Sequence, residues 1–231
     1  MNKILVVLII ILTGCGKQLG NHASVNGNIV KIPSYRMLNF SMYNIRDTGD
    51  EKLFRSMKPI RTPQDFIELQ KKASKGDVKS HYFLFLLYFD DSACSVRSLK
   101  SSKRVADENC TIALMHLKKT VEIEPGFQFG LYKLAYFNQY GIGMPVNLDE
   151  SINYWEKLIK IEGCYRQLAL ETASEIYFYE FGKIDKAKEY LTICANGGGE
   201  ICQFKLGDWD NKIKLRPYIL EAKQWANSSG M

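Results

Sequence analysis

Apolar residues recur at intervals of three and four from Thr62 onward, which predicts amphipathic helices through residues 62–228. Thr62 followed by Pro63 marks the first helix start, since threonine can cap a helix and proline suits its first turn. Residues 34–61 are apolar and aromatic with weak alternation, which predicts an irregular packed segment. Residues 15–33 are rich in glycine, asparagine and small polar residues, which predicts a flexible tether.

The helical region repeats itself about every 35 residues, and residues 130–163 are its clearest unit. A first helix is followed by a glycine loop at residues 141–145 and by a second helix that Asp149 is predicted to cap. The predicted core positions are Leu131, Leu134, Ala135, Phe137, Ile152, Tyr154, Trp155, Leu158 and Ile159. One such pair cannot bury its apolar face alone, so the repetition predicts an α/α solenoid of stacked helix hairpins over residues 62–228.

This unit resembles the Sel-one-like repeat, a short relative of the tetratricopeptide repeat. The matching residues are Gly130, Leu134, Ala135, Gly141, Gly143, Pro145, Tyr154, Trp155 and Lys157. Asn138 stands where the family has tyrosine, and Leu158 and Ile159 replace two alanines. Other copies match less completely but in the same phase, and Arg216-Pro217 is predicted to begin a final capping helix. The resemblance implies an all-α array whose first helices line a concave, protein-binding face.

A short apolar run opens the chain, with Lys3 before Ile4–Leu12. The run is too short to span a bilayer and has the length of a signal-peptide core. It ends in Leu12-Thr13-Gly14-Cys15, which resembles the lipobox of bacterial lipoproteins. The resemblance implies that residues 1–14 are a signal peptide, that the protein is exported, and that Cys15 carries acyl chains that hold it on a membrane. Gly16, in place of Asp, favours the outer membrane with the protein facing the periplasm. An ordinary signal peptide with a chance cysteine is the alternative.

Composition narrows the functional classes. The net charge of +6 over 231 residues is mild and spread out, so it does not indicate a nucleic-acid partner. The histidines are His22, His81 and His116, which is little material for a metal or catalytic site. His81 and His116 lie in helical apolar runs and are predicted to be packing or capping residues. No catalytic or phosphate-binding motif stands out, so we expect no enzymatic activity, cofactor or metal.

Five cysteines follow Cys15. Cys94 and Cys110 bracket a polar insertion where the repeat family has a short loop, and a disulfide across it is predicted to restrain the loop. Cys194 and Cys202 lie on consecutive helices. In cysteine-rich relatives such a pair bridges adjacent helices, so the resemblance implies a second disulfide; metal binding is the alternative, but no nearby histidine or second close pair completes a site. Cys164 is left over and is predicted to be a buried thiol at a helix start.

Lipoproteins with this repeat resemble immunity proteins that protect bacteria from toxic effectors of the type VI secretion system, including phospholipase effectors. The leading hypothesis is therefore a lipid-anchored protein that binds and neutralises such an effector. An envelope scaffold that organises cell-wall or membrane enzymes is the alternative. The candidate contact residues are Arg97, Lys100, Lys103 and Arg104 in the basic insertion, and Tyr132, Tyr136, Gln139 and Tyr177 on first helices. A merely solvated loop is the alternative for the insertion.

Overall fold

The computed structural model describes residues 22–25, 28–31, 53, 60, 62–89, 94 and 108–228. Within these ranges the chain forms a β-hairpin, nine longer α-helices and one π-helical turn. The strands are β1 (His22–Val25) and β2 (Asn28–Lys31). The helices are α1 (Pro63–Ala73), α2 (Val78–Tyr88), α3 (Glu108–Ile123), α4 (Gln128–Tyr140), α5 (Leu148–Ile159), α6 (Arg166–Glu175), α7 (Ile184–Asn196), α8 (Glu200–Gly207) and α9 (Trp209–Ser228). The π-helical turn, Ile176–Glu180, continues directly from α6.

The hairpin lies inside the range that the sequence predicted to be a tether. Its strands are antiparallel, with His22 opposite Lys31 and Val25 opposite Asn28. The predicted signal peptide and Cys15 lie outside the described residues. From the predicted packed segment, residues 34–61, the structure describes Leu53 and Ile60, and both are buried against residues of α1, α2 and α3.

The helix starts show one correct and one wrong prediction. Thr62 caps α1 as predicted: the Asp65 N–H donates to Thr62 Oγ1 at 3.2 Å, and the Thr62 N–H donates to Asp65 Oδ2 at 2.9 Å. Asp149 does not cap α5. Asn147 does, since its Oδ1 accepts from the Glu150 N–H at 3.0 Å. A capping side chain must precede the helical residues, whereas Asp149 already lies in the first turn, where its charge suits the helix dipole.

Small residues stand where the helices of a pair cross. Ser151 on α5 donates its hydroxyl to the carbonyl of Ala135 on α4 at 2.8 Å. Ser174 on α6 donates in the same way to the carbonyl of Ala187 on α7, also at 2.8 Å. All four residues are fully buried. Because the residues at each crossing are serine and alanine, the two helices of each pair can approach closely.

The core follows the predicted faces of the repeat. Most of the predicted core positions in α4 and α5 are buried, and only Tyr154 and Ile159 are half-buried. Each helix from α1 to α7 packs against the next one along the chain, so the core continues from pair to pair. Apart from the N-terminal hairpin, the described fold is an all-α array of stacked helix pairs, which confirms the predicted fold class.

The C-terminal end differs from the prediction. The last helix begins at Trp209, not at Arg216-Pro217, and it contains Pro217 in its interior. Proline removes one N–H bond to the carbonyl four residues earlier, that of Ile213; both residues are exposed, so water can solvate that carbonyl. α8 and α9 do not pack along one another as a hairpin. The prediction was wrong because it treated proline only as a helix start.

Contacts with the π-helical turn hold α9 instead. The Trp209 ring packs edge-on against Phe178, with centroids 5.2 Å apart. Arg216 Nε donates to the Phe178 carbonyl at 2.8 Å, and Lys223 Nζ lies 2.7 Å from a Glu180 carboxylate oxygen. The last carbonyls of a helix lack donors within that helix, so the Arg216 guanidinium satisfies one of them.

Gly130 allows α4 to cross α3 closely, and this gives a first prediction. A Cβ at this position would lie 2.2 Å from Thr120 Oγ1, which is buried and donates to the Leu117 carbonyl at 2.7 Å. We expect Gly130→Ala to lower the free energy of unfolding by about 1–3 kcal/mol through overpacking, as measured by urea denaturation. Gly126→Ala is the matched control, since nothing lies within 4 Å of a Cβ there. Equal losses in the two variants would contradict this account.

Candidate binding surface

Aromatic residues on α4 form an exposed patch. We define the α4 patch as Tyr132, Tyr136, Gln139 and Tyr140. The three tyrosines follow one another at the spacing of a helical turn, and their ring centroids are 6.2 Å and then 4.6 Å apart. Tyr136 is 38% exposed and Tyr140 is 52% exposed. Tyr132 is half-buried and stacks on the ring of Tyr165 at 4.7 Å, so the patch is continuous with the core.

A chain of hydrogen bonds from the core fixes the exposed end of this patch. Trp155 Nε1 donates to Gln139 Oε1 at 3.3 Å, and Gln139 Nε2 lies 3.2 Å from the Tyr140 hydroxyl oxygen. An indole N–H can only donate, which sets the orientation of the Gln139 amide. The Tyr140 hydroxyl oxygen thus accepts from the Gln139 amide. The buried Trp155 therefore orients a partly exposed phenol on the surface.

The first helices of successive pairs contribute to the same surface. Burial raises the pKa of Tyr140, and the nearby Tyr136 phenol and the Glu175 carboxylate of α6 raise it further, so the phenol stays protonated at neutral pH. Glu175 in turn accepts from Lys205 Nζ of α8 at 2.7 Å, and Lys205 also bonds Glu171 at 2.6 Å. These interactions place parts of α4, α6 and α8 side by side. The aromatic groups lie on α4, the acidic groups on α6 and the basic group on α8.

Tyr177 does not belong to this surface. Only 4% of the residue is exposed, and its hydroxyl donates to Glu156 Oε1 of α5 at 2.7 Å. The prediction that Tyr177 is an exposed contact residue is wrong, because Tyr177 lies seven residues after Leu170 and three after Ser174, both buried, and so continues the buried side of α6. Its ring faces the second helices of the array.

The group around Glu156 instead ties α5 to α7. Glu156 Oε1 accepts from Tyr177, from Lys186 at 2.6 Å and from Tyr190 at 2.9 Å. Burial by itself opposes ionisation of this carboxyl, but the three hydrogen bonds and the Lys186 charge prevail and lower its pKa to about 2. Burial and the same carboxylate raise the pKa of Tyr190 to about 12. The group stabilises the stacking of adjacent pairs.

Both predicted disulfides are present. Cys94 is bonded to Cys110 and Cys194 to Cys202, with Cα–Cα distances of 5.5 Å and 5.8 Å. Cys164 is exposed, whereas the sequence predicted a buried thiol. The adjacent Tyr165, which is 2% exposed, takes the core position at this turn, and Cys164 therefore points outward.

The first disulfide packs against the glycine loop of the following pair. The Gly143 N–H donates to the Cys94 carbonyl at 2.8 Å. Gly143 has a φ of +67°, and a Cβ there would lie 2.6 Å from Cys110 Sγ. Glycine is thus required for its backbone angle and for the space that the disulfide occupies. The basic residues predicted to contact a partner, Arg97, Lys100, Lys103 and Arg104, lie outside the described residues.

His81 on α2 and His116 on α3 are bonded to each other, with their Nδ1 atoms 2.9 Å apart. His81 also bonds the Ala73 backbone, and the His116 ring stacks on Tyr88 at 6.1 Å. Burial lowers the pKa of both imidazoles, that of His116 to about 4 with a further contribution from His81. The sequence correctly predicted that both histidines are packing residues. It contained no pattern that predicts a contact between these two histidines, which lie on different helices.

The described residues contain no group of three or more histidine, cysteine, aspartate or glutamate residues that could hold a metal ion. No helix in this part of the chain is both long enough and apolar enough to cross a membrane.

Comparisons with known proteins assign this chain to no family. No protein-family model matches the sequence, and no curated protein matches it. The crystal structure of a Sel1 repeat protein from Oxalobacter formigenes is similar, with 20% sequence identity and a TM-score of 0.43. The similarity covers 63% of this chain and 99% of that chain. No site residue is transferred from that protein to this one.

The histidine pair predicts a pH dependence of stability. An unfolded imidazole has a pKa of 6.5, whereas the folded pair resists protonation, so the unfolded state binds more protons below that pH. Stability should be full above pH 6.5 and fall as the pH is lowered toward about 4. Urea midpoints measured across this range test the expectation. His116→Gln should flatten the decline and His22→Gln, the control, should not; an unchanged decline in His116→Gln would rule out the pair as its source.

Proposed function

We propose that this chain is a lipid-anchored bacterial envelope protein that binds and neutralises a toxic effector, such as a phospholipase effector of the type VI secretion system. The observation that best supports protein binding is the α4 patch, in which Tyr136 and Tyr140 are exposed while Trp155 and Gln139 fix the Tyr140 hydroxyl. The effector class itself rests on the resemblance of the sequence to immunity lipoproteins.

The size, rigidity and polarity of the side chains in the α4 patch suit the binding of a protein partner. Tyrosine offers a large rigid ring with a polar tip, and such residues often dominate the binding energy of protein interfaces. Tyr140 is held before a partner arrives, so little side-chain freedom is lost on binding. The neighbouring Glu171, Glu175 and Lys205 supply charges of both signs, which favour specificity over non-specific adhesion.

Two features support the envelope location. Ile4–Leu12 and Cys15 have the form of a lipoprotein signal and its acylated cysteine. The two disulfides are typical of proteins that mature in an oxidising compartment. In this proposal the lipid keeps the protein at the membrane that the effector attacks. The basic insertion would steer an acidic partner and mainly raise its association rate.

An envelope scaffold for cell-wall or membrane enzymes is the second candidate, and it would use the same surface. The difference lies in the partner: an immunity protein is needed only when its toxin is present, whereas a scaffold is needed for normal envelope assembly. Deleting the gene in cells that lack the toxin separates the two. Normal growth and envelope integrity support immunity, and an envelope defect supports the scaffold.

The binding surface can be tested by co-expression with the toxin that, in this proposal, a neighbouring gene encodes. We expect Tyr140→Ala to weaken the binding free energy by about 2 kcal/mol or more, which is an affinity loss of about 30-fold. The variant should also protect cells from the toxin less well. Tyr140→Phe keeps the ring and should cost less. Lys188→Ala, at an exposed position of α7, is the control and should bind normally. Isothermal titration calorimetry gives the affinities. Unchanged binding after Tyr136 and Tyr140 are both replaced, in a folded protein, would contradict this surface.

The anchor requires a separate experiment. Cys15→Ser should abolish incorporation of a palmitate analogue and release the protein from the membrane fraction, because the predicted lipobox then has no thiol to receive the lipid. Cys164→Ser, at an exposed cysteine, is the matched control and should label normally. Persistent labelling of the Cys15→Ser protein would refute lipidation at this residue.

A further inference from the structure

The half-buried Lys212, near the start of α9, lies among aromatic rings. Its Nζ is 5.0 Å from the ring centroid of Phe178 and 5.2 Å from that of Tyr179. The Trp209 centroid is 6.0 Å away. Ring faces attract an ammonium charge, but an ammonium also carries three N–H donors, which require oxygen or nitrogen acceptors. The rings therefore hold the charge of Lys212 without satisfying its hydrogen bonds.

The other basic side chains where α9 meets the π-helical turn each bond an acceptor. Lys205 and Lys223 bond carboxylates, and Arg216 bonds a backbone carbonyl. Lys212 makes no hydrogen bond and no ion pair with any residue that the structure describes. Burial lowers the pKa of Lys212, against the effect of the nearby Glu175 carboxylate, because the ammonium loses water and gains no acceptor in exchange. The charged form of Lys212 therefore gains from an acceptor that a bound partner supplies.

The hydroxyl of Tyr179, whose ring contacts Lys212, is a second available donor. None of the described residues forms a hydrogen bond with it. Burial raises the pKa of Tyr179 and the Glu175 carboxylate raises it further, so the phenol stays protonated at neutral pH. The described residues contain no fully buried side-chain nitrogen or oxygen atom without a partner. The donor atoms of Lys212 and Tyr179 are therefore both accessible to a ligand.

This pair of donors is continuous with the α4 patch through the Glu175 carboxylate. Its charge acts to raise the pKa of Tyr140 on α4 and of both Tyr179 and Lys212, so it lies near all three. Its own hydrogen bond goes to Lys205 at 2.7 Å. A partner that covers Tyr140 is therefore close enough to contact the two donors as well.

We propose that Lys212 and the Tyr179 hydroxyl bind a carboxylate of the partner protein, on an aspartate or glutamate side chain. The inference rests on the proposed function, because it requires a partner on the α4 patch. A carboxylate has two oxygens and no donor, so one oxygen accepts from the ammonium and the other from the phenol. Hydrogen bonds to an ionised group are about twice as strong as neutral ones. This contact fixes the orientation of the partner along the array, from α4 to α9.

Acidic residues beside the site favour a carboxylate over a phosphate group. Glu171 and Glu175 both bond Lys205, and both lie close enough to Lys212 to affect its pKa. A phosphate monoester carries a charge of about −1.5 to −2 at neutral pH, so these carboxylates would repel it more strongly than they repel a partner carboxylate. A backbone carbonyl of the partner has no charge and offers one oxygen only, so it matches the two donors less well.

Isothermal titration calorimetry with the toxin of the proposed function tests the site on the full-length chain in a neutral detergent. We expect Lys212→Gln to weaken binding about tenfold, because the partner carboxylate then has no charged donor. Tyr179→Phe should weaken binding less. Lys214→Gln, at an exposed lysine of the same helix, is the matched control for the loss of one charge and should bind normally. Circular dichroism checks that each variant is folded.

The outcomes separate this inference from the proposed function. If the toxin does not bind the unaltered chain, the proposed function and the carboxylate site are both refuted. If Tyr140→Ala weakens binding but Lys212→Gln does not, the binding surface is supported and the carboxylate site alone is overturned.

A double-mutant cycle identifies the partner carboxylate. Each surface aspartate or glutamate of the toxin is changed to its amide. One such change should weaken binding to the unaltered chain about tenfold and have little effect on binding to Lys212→Gln, because the two side chains contact each other. The absence of any such residue would overturn the proposal. Sedimentation of the Cys15→Ser chain with phosphatidylglycerol vesicles is the second arm. Vesicle binding that Lys212→Gln abolishes and Lys214→Gln retains would assign the site to a lipid phosphate and also overturn the proposal.

Discussion

The close crossing of paired helices is the constraint on which the rest of this structure depends. At two successive crossings one helix presents alanine and the other serine, and the serine hydroxyl bonds the opposing alanine carbonyl. A larger side chain at Ala135 or Ala187 would force the helices apart, and a smaller one at Ser151 or Ser174 would lose the bond. The serine changes sides between the two pairs, from the second helix to the first. The geometry is therefore set by combined size and not by one residue type at one place.

The surface features follow from that stacking. Because each pair is held at short range, the first helices of neighbouring pairs come close enough for Tyr140 to interact with Glu175 and for Glu175 to bond Lys205. Trp155, buried between the helices of one pair, reaches the surface only through Gln139. The α4 patch is thus rigid because it is bonded to a residue of the core. A polar patch on a loop of the same composition would not have this support.

The sequence was informative wherever a periodic pattern reports burial. The helix pairs and most core positions of α4 and α5 could be predicted because each leaves a mark in spacing. The first disulfide was predicted from the polar insertion that its cysteines bracket, and the second from the family resemblance. The burial of Tyr177 was missed, although its spacing from Leu170 and Ser174 continues the buried side of α6. The contact between His81 and His116 depends on how two helices meet in space. In the candidate surface, Tyr136 and Gln139 were predicted; Tyr140 was missed, although it lies one helical turn beyond Tyr136 and could have been found.

The way α9 is attached has a consequence for how the array loses its structure. The pairs from α2 to α7 are held by buried apolar surface, which salt hardly weakens, whereas α9 depends on Trp209 together with polar contacts of Arg216 and Lys223 at partly exposed sites. Opening of this helix breaks these contacts and the cation–π contacts of Lys212 and Lys223, but no continuous buried core, so its amides should exchange with solvent through local fraying before the amides of the core pairs do. Unfolding of the array should therefore start at its C-terminal end and proceed inward. Because two of the contacts that hold α9 are polar, higher ionic strength should increase the rate of this opening.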